Sequence, residues 1–519
     1  VEYAYDDWCI AQFAKWIGNE DVYKKYIKRS LNYKNLFNPN TKHIHGKDQG
    51  LWHQPFNATE VNNFFTEGNA WHYSFSAQQD IKGMIELYGG KQGFLQKLGE
   101  MFTTKQSLSG RDQADVTGLI GQYAHGNEPS HHIAYLFNYA GKPWITQELV
   151  HKICTEFYPN NPDGLIGNED CGQMSAWFVL SAIGIYQPTP GSGFFTFGTP
   201  LFDETIIRLE NGKSFTIKAN NRSNNNFYIY AAQLNNKTYT PNFITVEEIE
   251  NGGELVFEMS NSPNLERGTK EDDLPNSSVS SENFVAVPYF DNPSNRFKTS
   301  LSVKLNHIDK KASIYYRIQS IQQNTSNFKL YTKPFSINNT TNITFYAQKK
   351  GVKSAVITQS FYKVPSNKTI AVISEVNPLY TGGSKDALID GILGNINWRR
   401  GNWTGYYNKN FEAIIDLKIR KKVSYVGAHL LQDISPWIVY PKQLIVEISD
   451  DGKNFTKLIT IDNKIGMDEK GPVTQKLGSK VNTRTRFVKF TAINGGNLPE
   501  WHESAGKPSH LFIDELFVE

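Results

Sequence analysis

Three segments in the first third of the chain concentrate carboxylates, amides, imidazoles and aromatic rings beside glycine: residues 65–73, 125–132 and 164–177. Hydrolysis of a glycosidic bond needs one acid to protonate the departing oxygen and another to deprotonate water or attack carbon. Aromatic rings stack on the apolar face of a pyranose, and amides bind its hydroxyls. The segments are therefore candidates for a sugar-hydrolysing site. The alternative is that Glu67 and Asp170 only cap helices.

The second segment also contains a His-x5-His-His pattern, formed by His125, His131 and His132. The pattern lacks the i, i+4 spacing of helical zinc sites and has no cysteine partner, so we interpret these side chains as hydrogen-bonded or sugar-contacting. Asn127 and Glu128 supply hard oxygens, which suit calcium better than zinc.

Length and composition exclude several classes of protein. A chain of 519 residues predicts roughly three domains. The net charge is only +3 and no block of like charge occurs, so a nucleic-acid partner is not expected. No apolar stretch is long enough for a membrane span. Three widely spaced cysteines exclude a disulfide framework.

The segments must be positioned by helices, because the hydrophobic period is helical from residue 1 to about 187. Ile10, Phe13, Ala14 and Ile17 form an i, i+3, i+4, i+7 stripe. Asp80 is predicted to cap a helix that glycines end at residues 89–90. Residues 172–186 are apolar almost all round, which predicts an interior helix.

Beyond residue 187 the period changes to two, as is typical of half-buried strands. We predict a β subdomain over 188–262 and a polar, turn-rich linker over 263–284. A small β-sandwich is predicted over 285–365, and a third β domain over 366–519.

Four motifs closely resemble glycoside hydrolase family 92: EYAYDDW at 2–8, TEGNAW at 66–71, GNEPSHH at 126–132 and GNEDCGQMSAW at 167–177. The resemblance implies a calcium-dependent exo-α-mannosidase that inverts the anomeric carbon. It also implies an N-terminal β-sandwich joined to an (α/α)6 toroid. We expect residues 1–187 to be the C-terminal part of that toroid, with apolar helix faces exposed and the sandwich, a partner for the site, outside this chain.

The resemblance assigns Glu67 as general acid, with Glu60 as a fallback, and Asp170 as general base. Asn168 stands where many members have a second acid, which makes a paired-carboxylate base doubtful. The expected mannose contacts are Glu128, Asn127, Trp71, His125 and Asn168. Asn127 and Glu128 are also the expected calcium ligands.

The later domains resemble known modules. Residues 285–365 are similar to the fibronectin-like domain of chitobiases and hexosaminidases. Residues 366–519 resemble a discoidin (F5/8 type C) β jelly roll of the kind used in carbohydrate binding. In such modules calcium ties the loop near Asp390 to a near-terminal acid, here Glu515, with Asp386 as a weaker candidate. A glycan platform is expected at Trp403, Tyr406 and Trp437, although Trp437 is equally compatible with a core position.

The expected fold is thus a multidomain α + β protein, with a partial toroid followed by β domains. The expected substrate is a mannose-rich N-glycan or mannan outside the cytoplasm, cleaved with the help of Ca2+. Two alternatives remain open: a non-catalytic carbohydrate-binding or adhesion protein, and a glucosidase or glucan phosphorylase on a similar toroid.

Overall fold

The computed structural model describes residues 1–320, 327–383, 386–469 and 471–519. Helices dominate the first 187 residues: α1 (Glu2–Trp16), α2 (Glu20–Arg29), α3 (Ala70–Tyr73), α4 (Ile81–Leu87), α5 (Lys91–Thr103), α6 (Pro143–Glu156) and α7 (Gln173–Ile183). Between them lie 3-10 helices at Asn32–Asn35, Gln78–Asp80, Glu128–Ser130 and Ile133–Ala140. Two-residue strands border the loops: β1 (Phe37–Asn38), β2 (His43–Ile44), β3 (Lys47–Asp48), β4 (Leu51–Trp52), β5 (Glu60–Val61), β6 (Ser109–Gly110), β7 (Leu119–Ile120), β8 (Tyr123–Ala124) and β9 (Ile185–Tyr186).

Local capping explains where several of these helices begin and end. The Asp80 carboxylate accepts a hydrogen bond from the Gly83 amide at 3.2 Å and starts α4, as predicted. Gly172 and Gly184 flank α7 with φ of 82° and 100°, in the left-handed region that glycine adopts without steric cost. Among the described residues, no helix is long and apolar enough to span a bilayer.

A single aromatic-rich core joins these helices. Its centre is the segment Ile133–Ala140, in which every residue is buried. The prediction of an interior helix over 172–186 is wrong. Met174 and Trp177 of α7 face the core, but Val179 on the opposite face is 54% exposed.

The N-terminal helix also presents apolar side chains to solvent. Ala14 is buried, whereas Phe13 and Trp16 are 60% and 81% exposed, and Ile10 and Ile17 also lie outside the core. The predicted stripe therefore faces outward over most of its length. An exposed apolar patch of this kind is typical of an interaction surface.

The β subdomain packs beside the helices. It consists of β10 (Phe194–Phe197), β11 (Glu204–Arg208), β12 (Ser214–Asn220), β13 (Tyr228–Leu234), β14 (Lys237–Thr238), β15 (Phe243–Thr245), α8 (Val246–Glu250) and β16 (Gly253–Ser260). Its five-stranded sheet has the order β11-β12-β16-β13-β14, with only the β12–β16 pair parallel.

The predicted linker is bound to the domains before it and does not run free. Ser277 accepts a hydrogen bond at its carbonyl from the Lys82 amide at 3.0 Å, and the Val279 amide donates to the Asp80 carboxylate at 3.1 Å. Arg267 is buried and donates to Asn242 at 3.0 Å. The polar composition of residues 263–284 suggested a solvated segment. Instead, side chains and backbone groups of this segment satisfy buried polar groups of the first two domains.

The next domain consists of β-strands and shares a sheet with the helical part; we call it the sandwich, after the fold predicted for it. Its strands are β17 (Tyr289–Phe290), β18 (Arg296–Phe297), β19 (Leu301–Val303), β20 (Leu305–Asn306), β21 (Ser313–Ser320), β22 (Lys329–Leu330), β23 (Phe335–Ile337), β24 (Thr341–Lys349), β25 (Val352–Lys353) and β26 (Ile357–Lys363). One sheet has the order β18-β26-β24-β21-β22 with β25 beside β24. A second, β20-β17-β4-β3, contains two strands from the loop at 47–52.

The last domain is built on two long, bent strands. Its strands are β27 (Thr369–Val372), β28 (Thr404–Tyr407), β29 (Phe411–Gln432), β30 (Gln443–Ser449), β31 (Thr456–Asp462), β32 (Val473–Ile493) and β33 (His510–Val518). They form one sheet of order β28-β33-β29-β32-β30-β31, with β27 beside β29. Register shifts between Asp416 and Lys421 mark where β29 bends against β32.

The prediction of a glycan platform is wrong for two of its three residues, because their side chains are buried in this domain. Trp403 is 1% exposed and its indole Nε1 donates to the Asn395 carbonyl at 2.9 Å. Tyr406 is fully buried. Trp437 is half-buried, with the Lys507 ammonium 5.5 Å from its ring centroid, so its platform role stays a prediction.

Candidate active site

A cavity of about 370 Å3 lies between α1, the loop before α3 and the 3-10 turn that follows Asn127. All three elements carry carboxylates or amides to its wall. The lining residues are Glu2, Tyr5, Asp6, Thr66, Glu67, Tyr73, Ser76, Gln78, Asn127, Glu128 and Pro129. Two of the three chemistry-bearing segments found in the sequence therefore meet in one pocket.

Glu67 is presented by a strained turn. Its φ is 52°, in the left-handed region that costs a non-glycine residue of order 1–3 kcal/mol. The next residue, Gly68, is closely packed, because a Cβ there would lie only 3.0 Å from the His72 imidazole. Asn69 then caps α3, and the Tyr73 hydroxyl donates to the Thr66 carbonyl at 2.6 Å. The turn is thus tied to the helix on both sides of Glu67.

Asn127 connects the second segment to the first. Its amide Nδ2 donates to the Glu67 carbonyl at 3.0 Å, and its Oδ1 accepts from the Glu128 amide at 3.0 Å. The Asn127 side chain is buried, so both bonds are shielded from water. This arrangement fixes the Glu128 backbone next to the Glu67 turn, and both residues line the cavity.

Asp170 comes from the third segment, which packs against the second. A Cβ on Gly167 would lie 2.7 Å from the Gly126 Cα, so the two backbones touch. Asp170, Cys171 and Gly172 have φ of 39°, 59° and 82°, three left-handed residues in succession before α7. Asp170 is exposed beside the cavity and is not among the residues that line it.

The site is electrostatically acidic. Burial raises the pKa of the Glu128 carboxyl, and the negative charges of Asp170, Glu67 and Asp115 raise it further. In the described part of the chain, no Lys or Arg side chain forms an ion pair with the four carboxylates that line the cavity. The four are Glu2, Asp6, Glu67 and Glu128. The cavity is thus suited to a cation or to a positively charged transition state.

Two predicted sugar contacts are corrected by the structure. His125 is fully buried, and both ring nitrogens are hydrogen-bonded at 2.7 Å to the hydroxyls of Tyr123 and Tyr158. Trp71 is 5% exposed and lies under the Lys97 ammonium, 4.1 Å from its ring, beside a different cavity. Both rings were expected at the site because they belong to or adjoin the motifs that carry the resemblance, but His125 lies in the core and Trp71 lines the other cavity.

Asn168 and Glu60 also lie outside the cavity lining. Asn168 is exposed, and its side-chain amide donates to the Asp115 carboxylate at 2.6 Å. It therefore connects the third segment to a carboxylate whose negative charge raises the pKa of the Glu128 carboxyl. Glu60 accepts from the Asn62 amide at 3.0 Å on the short strand β5. Glu67 is therefore the better-placed acid.

Sequence reasoning missed Glu2 and Asp6 as site residues. Both lie on α1 and line the cavity, and Oε1 of Glu2 lies 3.1 Å from the Tyr73 hydroxyl oxygen. The signal was present, since both belong to the EYAYDDW motif at 2–8. No spacing rule connects this helix to acids about 60 residues away, so only the fold brings them together.

The carboxylate and amide oxygens at this cavity are ligands that a hard cation prefers, although they do not form a preformed coordination shell. Among the described residues, no three His, Cys, Asp or Glu side chains are grouped so as to hold a metal. Glu128 offers a carboxylate, and Asn127 an amide oxygen that already accepts one hydrogen bond. A cation here would complete its shell with water or ligand hydroxyls, as Ca2+ commonly does.

The profile of the glycosyl hydrolase family 92 catalytic domain matches residues 1–261, which is half of the chain. The chain belongs to glycosyl hydrolase family 92. Two further profiles match beyond the family 92 part: the chitobiase/β-hexosaminidase C-terminal domain over 292–358 and the F5/8 type C domain over 369–507.

Relatives of the family 92 part agree with this assignment. A family GH92 α-mannosidase of Bacteroides thetaiotaomicron, solved in complex with mannoimidazole, is 39% identical with a TM-score of 0.51 over 53% of this chain. A second structure of the same α-mannosidase is 40% identical, with a TM-score of 0.50 over 54% of this chain. An uncharacterized secreted glycosidase of Arthroderma benhamiae is 28% identical over 302 residues, or 53% of this chain. The chain spans 37% of the length of each of these relatives.

Proposed function

We propose that this chain is part of an inverting exo-α-mannosidase, with Glu67 as general acid and Asp170 as general base. The observation that carries the proposal is the acidic cavity in which Glu67 and Glu128 meet within reach of the Asp170 charge. The family membership and the similarity to an α-mannosidase solved with mannoimidazole support the choice of sugar.

The two acids lie on separate loops, and both are exposed in this chain. Glu67 lines the cavity, where a carboxylic acid can protonate the departing oxygen. Asp170 lies on a separate loop in open solvent, where a carboxylate can accept a proton from water. In inverting glycosidases the two carboxyl groups lie about 6.5–9.5 Å apart to admit that water. Their origin on different loops suits such a separation.

We further propose that Asn127 and Glu128 hold Ca2+ at the cavity. When bound, the ion would supply positive charge against the sugar hydroxyls and the crowded carboxylates. The chain's own contribution is to fix the Glu128 backbone through the side-chain amide of Asn127. It also leaves the cavity carboxylates without a Lys or Arg ion pair among the described residues. The substrate we propose is terminal α-linked mannose on an N-glycan or mannan, met outside the cytoplasm; the secreted relative supports this location.

Calcium removal tests this assignment. We expect a chelator to lower α-mannoside hydrolysis by the full-length native protein at least about 10-fold, because a bound cation contributes several kcal/mol of charge stabilisation. Added Ca2+ should restore the rate, and Glu128→Gln should raise the Ca2+ concentration needed. Proton NMR should show β-mannose as the first product. A rate that a chelator leaves unchanged would remove Ca2+ from the proposal, and α-mannose as first product would remove inversion.

The exposed apolar face of α1 is proposed to bind the N-terminal β-sandwich of the same protein. In the full-length protein we expect hydroxyl-radical labelling of Trp16 to fall to the level of buried Trp177, because the sandwich excludes water from this face. In the isolated 519-residue chain Trp16 should label strongly. Trp501, which is 61% exposed in the last domain, is the control and should label equally in both. Equal labelling of Trp16 in the two proteins would contradict the proposal.

A further inference from the structure

The cation site expected in the last domain is filled by an arginine of the preceding β-sandwich. Arg296, on strand β18, places its Nε 2.5 Å from Oδ2 of Asp390. The Asp390 side chain is fully buried, and Arg296 retains only 14% of its side-chain exposure. Oδ1 of Asp390 is also used, since it accepts from the Ile392 amide at 2.9 Å.

The second expected calcium ligand is likewise occupied. Oε2 of Glu515, on β33, accepts from the Gly391 amide at 2.9 Å, and Oε1 lies 3.7 Å from the Lys368 ammonium. Lys368 is 13% exposed and belongs to the segment that connects the sandwich to the last domain. The loop after Asp390 is thus already joined to the last strand without a metal.

These residues do not fit a calcium site. Arg296 and Lys368 bring two positive charges to the two carboxylates of Asp390 and Glu515, the same charge that one Ca2+ would bring. Burying an unpaired carboxylate costs several kcal/mol, so positive charge at this place is stabilising, and the side chains of Arg296 and Lys368 supply it. No cluster of metal-binding side chains is found at this place in the described residues.

The arginine also connects two domains. Lys298, two residues further along, forms a second ion pair with Asp386 at 2.7 Å. Gly383 makes room for the guanidinium, because a Cβ there would lie 3.1 Å from Nη1 of Arg296. The contact is therefore built from both sides of the domain boundary.

We propose that Arg296 and Lys368 replace calcium in the discoidin-like domain, so that the clamp between Asp390 and Glu515 is closed by the neighbouring sandwich. The last domain is then held in one orientation on the sandwich, and its stability does not depend on Ca2+. The domain closes correctly only when the sandwich is docked.

Hydrogen exchange on the full 519-residue chain tests the proposal, because it reads the clamp separately from the candidate active site. The peptides covering 386–394 and 510–519 should exchange at the same rate with EDTA and with Ca2+. In Arg296→Gln, exchange in these peptides should rise at least about 10-fold, since a buried carboxylate loses its partner. Arg420→Gln is the control: its pair with Asp450 at 3.1 Å is exposed, and a change within about twofold is expected.

Each outcome decides the question. Faster exchange of these two peptides on adding EDTA to the unmodified chain would show that a metal closes the clamp, and would overturn the proposal. Unchanged exchange in Arg296→Gln would also overturn it. If Arg296→Gln does not fold, Arg296→Lys keeps the charge without the guanidinium geometry and should give an intermediate rate, while the EDTA experiment on the unmodified chain still decides.

Discussion

Glu67→Gln is expected to lower hydrolysis of an unactivated α-mannoside by about 10²–10⁴-fold in the full-length native protein, the range that general acid catalysis contributes. Glutamine keeps the size of the side chain but cannot donate a proton to the departing oxygen. The loss should shrink strongly for a mannoside with an acidic phenol as leaving group, because that oxygen departs without protonation. The measurement is kcat/KM for a pair of substrates that differ only in the leaving group.

Glu60→Gln is the matched control for this prediction. Glu60 precedes Glu67 by seven residues but lies outside the cavity lining and is bound by Asn62. Both substrates should be cleaved at the native rate by this variant. A Glu67→Gln protein that loses equal activity on both substrates would show a role other than proton donation, and a loss in Glu60→Gln alone would transfer the role to Glu60.

Asp170→Asn is expected to lower hydrolysis by a similar factor of about 10²–10⁴, because the attacking water would lose its base. In contrast to Glu67→Gln, the loss should be the same for both leaving groups, since water must be deprotonated in either case. Asparagine is a suitable replacement here because it tolerates the left-handed backbone that Asp170 adopts at φ 39°. The loop should therefore keep its shape.

Asp163→Asn provides the control on the same loop. Asp163 is also an exposed acid, but unlike Asp170 it is not among the charges that raise the pKa of the Glu128 carboxyl, so its removal should leave both rates unchanged. Native activity in Asp170→Asn would exclude Asp170 as the base. Thermal unfolding of each variant separates lost chemistry from lost structure, and no shift in melting temperature beyond a few degrees is expected.

Elements with local signals were predictable from the sequence. Asp80 and the glycines at 89–90 predicted α4, and the apolar run after Gly172 predicted α7 nearly to its ends. The resemblance placed the motifs at 66–71 and 126–132 at one site, and residues of both line one cavity. For the helices, the information lies within a few residues of the element that it describes.

Burial and partners across the chain were not predictable in the same way. Trp403 has the composition of a sugar platform, but strands distant in sequence enclose it. Residues 263–284 have the composition of a free linker, yet the Ser277 carbonyl accepts from the Lys82 amide and the Val279 amide donates to the Asp80 carboxylate. Arg296 could not be assigned to Asp390, since 94 residues separate them and only domain docking makes them neighbours.

The sheet β20-β17-β4-β3 has a consequence for dissecting the protein into pieces. Phe290 pairs with Leu51, and its amide donates to the Gly50 carbonyl at 2.8 Å, so the sandwich completes a sheet begun in the helical part. A truncation after residue 284 would strip β4 of its neighbour and leave a bare strand edge, which invites pairing between molecules. Val303 and Leu305 share one buried core with Ile343 and Phe345, so expression boundaries for the family 92 half are better drawn after β26 than at the apparent domain border.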